Sequence, residues 1–254
     1  LKELGYFKPE DDPSVKRVTT ALRRFQRFHG FPPTGEADDA TSNALLTPYR
    51  CGSPDTIITD AQCKWPIDEM PAVTYYTNLT LSGVSKVQAA AAYDIACKQW
   101  EAVCGIRFKR VTTATKANIA AKSGLGQTAF LDGRGGTLAW SYTPCGARKD
   151  TKLSQMFDQA ERWSSRMLLA VACHEIGHAI GLPHGRPGQL MAPYYNADVA
   201  TPQAQDIVEV VKLYGPPQTP VAQKTAEKIS VKRPTTVEIR DALDDSIITT
   251  LYLP

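Results

Sequence analysis

Histidine is nearly missing from this 254-residue chain, which has four. An excess of one charge is missing too. The 29 Lys and Arg face 26 Asp and Glu for a net charge of +3, with no basic run or aromatic-interleaved patch to track phosphates, so a nucleic-acid partner is excluded. No window is long and apolar enough to span a bilayer. An initiator methionine is absent, and Leu1 to Tyr6 reads as the tail of a helix already under way, so a signal peptide and further residues are expected upstream. Against these absences, 43% hydrophobic residues suffice for a proper core, and six cysteines suit an oxidising, extracellular setting.

Three of the four histidines fall in the segment His174 to His184, which reads HEIGHAIGLPH. On a helix of 3.6 residues per turn, His174 and His178 share one face, near enough to hold one tetrahedral cation. Glu175 then leans toward the ion without ligating it. Ser164 can cap the start of such a helix, the largely apolar stretch through Cys173 would be buried, and Gly181 can end it in the left-handed conformation. Chain reversal at Gly181 returns His184 as third ligand. Three neutral imidazoles leave zinc one open position, which separates a catalytic site from a closed structural one.

Continued by Met191 in Leu190-Met191-Ala192-Pro193-Tyr194-Tyr195, this motif resembles the metzincin clan and, within it, the matrixins. The resemblance implies that Met191 forms a hydrophobic floor under the imidazoles and that Pro193 and Tyr195 wall the primary specificity pocket; ordinary core packing is the competing reading of Met191. Upstream, Arg50-Cys51-Gly52-Ser53-Pro54-Asp55 resembles the matrixin cysteine switch P-R-C-G-x-P-D, with Tyr49 where the family usually has proline. The resemblance implies a latent form in which the Cys51 thiolate takes the fourth zinc position. Arg50 can pair with Asp55 to hold the turn. A disulfide to another cysteine is the alternative for Cys51.

Val15, Val18, Leu22, Phe25 and Phe28 lie at near-helical spacing, and a second short helix is expected from Asp38 to Leu46. The run from Ala21 to Pro32 is similar to matrixin propeptides and also to peptidoglycan-binding helical domains. His29, at a helix end, reads as structural and not as a ligand. Further on, strands are expected at Ala72 to Tyr76, Ile106 to Val111 and Ala117 to Ala121, with an alanine-rich helix from Val84 to Val103. The stretches Phe130 to Trp140 and Met156 to Trp163 resemble matrixin segments that carry a second zinc and calcium. Trp140 and Met156 stand at two of the structural-zinc histidine positions, so no structural zinc is expected. Asp132, Asp158 and Glu161 survive at the calcium positions, and hard oxygen ligands with a Gly-rich loop fit that ion.

Cysteine pairing stays open: Cys97 and Cys104 are seven apart, Cys63 and Cys145 would then be left, and Cys173 is the candidate for a free thiol. Asn78-Leu79-Thr80 is a glycosylation sequon. The expected fold is α+β, a small helical propeptide at 1–58 followed at 59–215 by a metzincin-type catalytic domain with a mixed, twisted five-stranded sheet and three helices. Residues 216–254 are expected to form a Pro-rich linker and an extension, with strands at Thr236 to Ile239 and Ile247 to Leu253. The function these readings imply is a latent, secreted, monomeric zinc endopeptidase acting on protein or peptide substrates, with Glu175 as general base and an activating protease as partner. The alternative is a cell-wall or polymer-binding protein working through its N-terminal helices.

Overall fold

Ser85 and Gln88 form a reciprocal capping box, each side chain accepting the other's backbone N–H, and they start the longest helix of the molecule, α3, Lys86–Val103. Its alanine-rich body lets it lie close to α4, Ser165–Ala179, and Trp100 Nε1 donates across that contact to the Cys173 carbonyl at 2.9 Å. The computed structural model describes residues 1–2, 4–7, 12, 14–46, 50–55, 63–126 and 129–217, and the backbone of 235–240 and 247–253. Tyr49, the expected boundary at 58/59, Gln127, Thr128 and the linker beyond 217 lie outside those residues.

The N-terminal segment supplies α1, Val15–Phe28, and α2, Asp39–Leu45. Asp38 caps α2 by accepting from Thr41 N at 2.8 Å, and buried Gln26 ties the two helices together through Thr34, Glu36 and Thr41. Tyr6, Ala21 and Phe25 form their small core. Val15, expected on the apolar face, is exposed, because it sits in the first turn beyond the reach of that core.

A six-stranded sheet follows in the order β1, β5, β6, β4, β2, β3. Its members are β1 Arg50–Cys51, β2 Val73–Asn78, β3 Phe108–Arg110, β4 Ile119–Gly124, β5 Thr137–Ser141 and β6 Leu153–Asp158. Only β5 and β6 are antiparallel. The five strands β2 to β6 match the expected sheet; β1, contributed by the N-terminal segment, adds a sixth at the edge. Tyr93, Trp100, Ile119, Phe157, Leu168 and Ile176 are fully buried in the core beneath it. Helix α5, Ala204–Tyr214, completes three helices after residue 59, and the sharing of one core by strands and helices makes the fold α+β.

Helix α4 is buried all round from Met167 onward, so its last carbonyls cannot reach water. Trp65 Nε1 donates to Ala179 O at 2.7 Å and the Tyr214 hydroxyl to Ile180 O at 2.8 Å, which satisfies them. Cys63 is disulfide-bonded to Cys145, while Cys51, Cys97, Cys104 and Cys173 are free and buried. A Cys97–Cys104 bridge does not form. The two are about 10 Å apart along a helix axis, beyond the roughly 7 Å limit for bridged Cα atoms, and Cys104 Sγ instead donates to Trp100 O. The chain divides into two compact units, Leu1–Pro217 and Gln218–Pro254. In the second, β7 Thr235–Arg240 pairs antiparallel with β8 Ile247–Leu253, covering the two strands expected there.

Candidate active site

The helical spacing of His174 and His178 places their Nε2 atoms 3.1 Å apart. Each ring is pinned through Nδ1 to a backbone carbonyl at 2.8 Å, His174 to Leu190 and His178 to Leu182, which leaves Nε2 as the free donor atom. The helix ends in a Schellman motif: Leu182 N bonds Gly177 O and Gly181 N bonds His178 O, both at 2.9 Å. Gly181 takes φ +101°, and the Cys63 carbonyl occupies the space a Cβ would need. That reversal brings the His184 ring to 4.7 Å from His178 and 5.3 Å from His174, centre to centre.

Cys51 completes the cluster, its Sγ 3.5 Å from His178 Nε2. The four donor atoms lie within 4.8 Å of one another and all four residues are buried. A zinc tetrahedron with bonds of about 2.0–2.1 Å to nitrogen and 2.3 Å to sulfur has N···N edges of about 3.3 Å and N···S edges of about 3.6 Å, close to the separations found. His184 Nε2 has no hydrogen-bond partner although buried. A buried imidazole nitrogen left unsatisfied is costly unless a cation takes it, so the residues fit zinc.

Electrostatics agree. Burial pushes His174 down to about 3 and His178 well below its ordinary value, so both imidazoles stay neutral and able to ligate. Burial raises the Glu175 carboxyl to about 8, with the neighbouring Cys51 thiol lowering it in part. Burial first, and the Glu175 charge second, push the Cys51 thiol well above its usual range, so thiolate is favoured only when the same histidines hold a cation. Burial raises Asp55 as well, but contacts to His184 and His29 and the Arg50 charge outweigh it and hold this carboxylate below its ordinary range.

The segment bearing Cys51 lies in the cleft as an extended strand. Arg50 N donates to Gly136 O at 3.1 Å and Gly52 N to Ala139 O at 2.7 Å on the β5 side, and Cys51 N donates to Pro193 O at 2.8 Å on the other. Arg50 Nη2 donates to Asp55 Oδ1 at 2.7 Å, the expected pair. Pro193 and Tyr195 line a cavity beside His174, with Leu138, Val171 and Val199. Met191 packs beneath the histidines against Gly177, whose missing side chain makes that approach feasible. Asp206, which the motifs did not single out, anchors this turn by accepting from Leu190 N at 2.9 Å and Met191 N at 3.3 Å. Gln155 holds the Glu175 carbonyl at 2.7 Å, and Tyr194 bonds Ala44 O of the N-terminal segment; neither carries a motif signal.

Asp132, Asp158 and Glu161 share one loop region but serve backbone amides there. Asp132 accepts from Thr137 N, Asp158 from Gly133 N, and Glu161 from Gly135 N and Gly136 N. Among the described residues, the cluster of Cys51 with three histidines is the one group whose donor atoms converge for a metal. Trp140 and Met156 face each other across β5 and β6, and Trp140 Nε1 donates to Ala129 O at 2.7 Å, so an apolar contact and an indole bond hold this loop.

The family model described as Matrixin matches residues 64–215. The chain belongs to the matrixins. Membership implies a catalytic zinc, and the donor set fits it. The chain is 31% identical over 229 residues to the hatching enzyme of Paracentrotus lividus, covering 85% of this chain and 38% of that protein. It is 32% identical over 218 residues to the interstitial collagenase of Sus scrofa, covering 80% and 44%. A third similarity is to the macrophage metalloelastase of Oryctolagus cuniculus, 32% over 236 residues, covering 86% and 50%. This matrixin chain therefore spans half or less of the length of these relatives. A second family model, a putative peptidoglycan binding domain, matches residues 1–45.

Gly181→Ala tests how this matrixin builds its third ligand. A left-handed alanine in contact with the Cys63 carbonyl is expected to cost about 1–3 kcal/mol of stability and to reduce bound zinc below one per chain. Full zinc content and an unchanged urea midpoint would mean that the reversal does not depend on glycine.

Proposed function

We propose that this chain is a latent, extracellular zinc endopeptidase of the matrixin family, with His174, His178 and His184 as ligands and Glu175 as general base. One observation carries the reading: a buried three-histidine cluster with Cys51 Sγ at its fourth corner and an unpartnered carboxylate beside it. Zinc bound there supplies a Lewis acid that brings an attacking water's pKa toward neutrality and polarises the scissile carbonyl. Glu175 takes the proton from that water and delivers it to the leaving amine. Gln155, by holding the Glu175 backbone, keeps the carboxylate aimed at the cleft.

An extended substrate pairs with the edge of β5 once β1 has left it, a strand-addition mode in which main-chain bonds give affinity. One side chain enters the cavity walled by Pro193 and Tyr195, with Met191 as the floor beneath the ligands. Residues 1–58 act as propeptide and 59–215 as catalytic domain, and an activating protease cuts between them; no role is assigned to 216–254. The protein works as a secreted monomer. Its loop at Asp132, Asp158 and Glu161 takes calcium, with Asp132 Oδ2 and Glu161 Oε2 not used by amides and both Asp158 oxygens shared with the amides of Gly133 and Ala160, and no second zinc binds at Trp140 and Met156.

The alternative, wall binding through the N-terminal helices, rests on the family match at residues 1–45. Against it stand the contacts those residues make with the cleft, among them the Tyr194 hydroxyl to Ala44 O and the His29 ring against Tyr194. Retention of isolated residues 1–58 on insoluble peptidoglycan would favour it.

In trimmed enzyme, Glu175→Ala is expected to keep one zinc and lose about 10²–10⁴-fold in peptidase rate. In the full chain, Cys51→Ala is expected to release activity without added protease, because a tethered thiolate competes at an effective concentration on the order of millimolar. An inert Cys51→Ala chain that gains activity only when residues 1–58 are removed would replace the switch with steric blockade.

Calcium is expected to raise the melting temperature by mass action, since the loop site exists only in the folded state. Melting that is indifferent to calcium removes that ion from the account.

A further inference from the structure

Each zinc-ligating imidazole needs an acceptor for the nitrogen it does not offer to the metal, because that bond fixes the tautomer and the ring's orientation. His174 and His178 find theirs in the catalytic domain, in the carbonyls of Leu190 and Leu182. His184 does not. Its Nδ1 is buried and makes no hydrogen bond among the described residues, and the carboxylate it faces is Asp55, with Oδ1 at the ion-pair distance of 3.5 Å. Asp55 belongs to the N-terminal segment, not to the domain that carries the histidines.

Arg50 Nη2 donates to Oδ1 of that carboxylate at 2.7 Å. The other oxygen, Oδ2, is buried without a hydrogen bond and faces the likewise unbonded His29 Nε2 at 3.5 Å. The side chains of Asp55 and His184 are 0% exposed and that of His29 is 2%. Water cannot substitute in so closed a place. His29 sits at the C-cap of α1, its ring 4.2 Å from Phe25, 4.9 Å from Phe28 and 5.3 Å from Tyr194, centre to centre. Aromatic rings surround the imidazole, while its buried Nε2 faces Asp55.

We propose that His29 is a positioning residue which, through Asp55, supports the zinc ligand His184, so that the propeptide supplies one metal ligand and also the outer-shell carboxylate of another. This rests on the zinc reading of the site. The latent form then grips the metal at two places, Cys51 directly and His184 through Asp55. Departure of residues 1–58 removes both at once and leaves His184 Nδ1 to solvent. Burial of a histidine merely to fill the α1 core explains the aromatic contacts. It does not explain a carboxylate shared between that histidine and a ligand.

The test uses the full-length chain with Glu175→Ala, so that no self-cleavage intervenes, loaded with cobalt(II). A sulfur-to-cobalt charge-transfer band reports Cys51, the visible bands report the ligand field, and transfer to a chelator gives the release rate. His29→Phe and Asp55→Asn are each expected to speed release about tenfold or more and to shift the visible bands, with the sulfur band retained. His29→Gln, which keeps one N–H donor, is expected to restore most of the slow release. Release and spectra unchanged in both His29→Phe and Asp55→Asn would overturn the inference, even if both proteins melt lower. A parent chain that binds no metal would instead overturn the zinc reading, and this inference with it.

Discussion

Three buried, neutral imidazoles must converge on one point, and most of the molecule is arranged to make them do so. Helix α4 sets two of them by its pitch, and it can be buried on every side only because Trp65 and Tyr214 satisfy its last carbonyls. Gly181 turns the chain so that the third arrives. Asp206 pulls the turn at Leu190 and Met191 under the cluster, and through Leu190 O it reaches the first ligand, His174. Desolvation keeps the rings unprotonated, which is the state a cation requires.

The same convergence underlies the proposed latent state. Arg50–Cys51 is held as a strand between β5 and Pro193, so main-chain hydrogen bonds to both walls of the cleft place the sulfur at the histidines. Gly52 is required where Thr137 and Trp140 crowd its backbone. The strand fills the edge of the sheet beside β5, so in the proposed switch its departure would free that edge and the thiolate together. The helical segment adds grip through Tyr6, Ala44 and His29, all of which end near Asp55 or Tyr194.

Much of this was legible in the residues. The His174–His178 spacing has one helical meaning, Gly181 is a helix stop with a physical cause, and the cap read at Ser164 starts α4 by accepting from Met167 N. Cys51 was readable through its flanking Arg50, Gly52 and Asp55, and its competing disulfide is excluded because Cys51 is a free, buried thiol. Contacts between segments distant in sequence were not legible. Nothing local announces that Met191 needs Gly177 beside it, that Gln155 holds Glu175, or that His29 lies across from Asp55. Cys97 and Cys104 misled because sequence proximity within a helix is not spatial proximity of thiols. In the acidic loop, the residue types pointed to calcium through resemblance, and the contacts the structure adds are those of Asp132, Asp158 and Glu161 with backbone amides.

Zinc-edge X-ray absorption on the full-length chain tests the central claim most directly. The account predicts one sulfur at about 2.3 Å and three nitrogens at about 2.0–2.1 Å, with the sulfur replaced by a light atom after residues 1–58 are cut away. A full-length protein whose zinc sees only nitrogen and oxygen would contradict it.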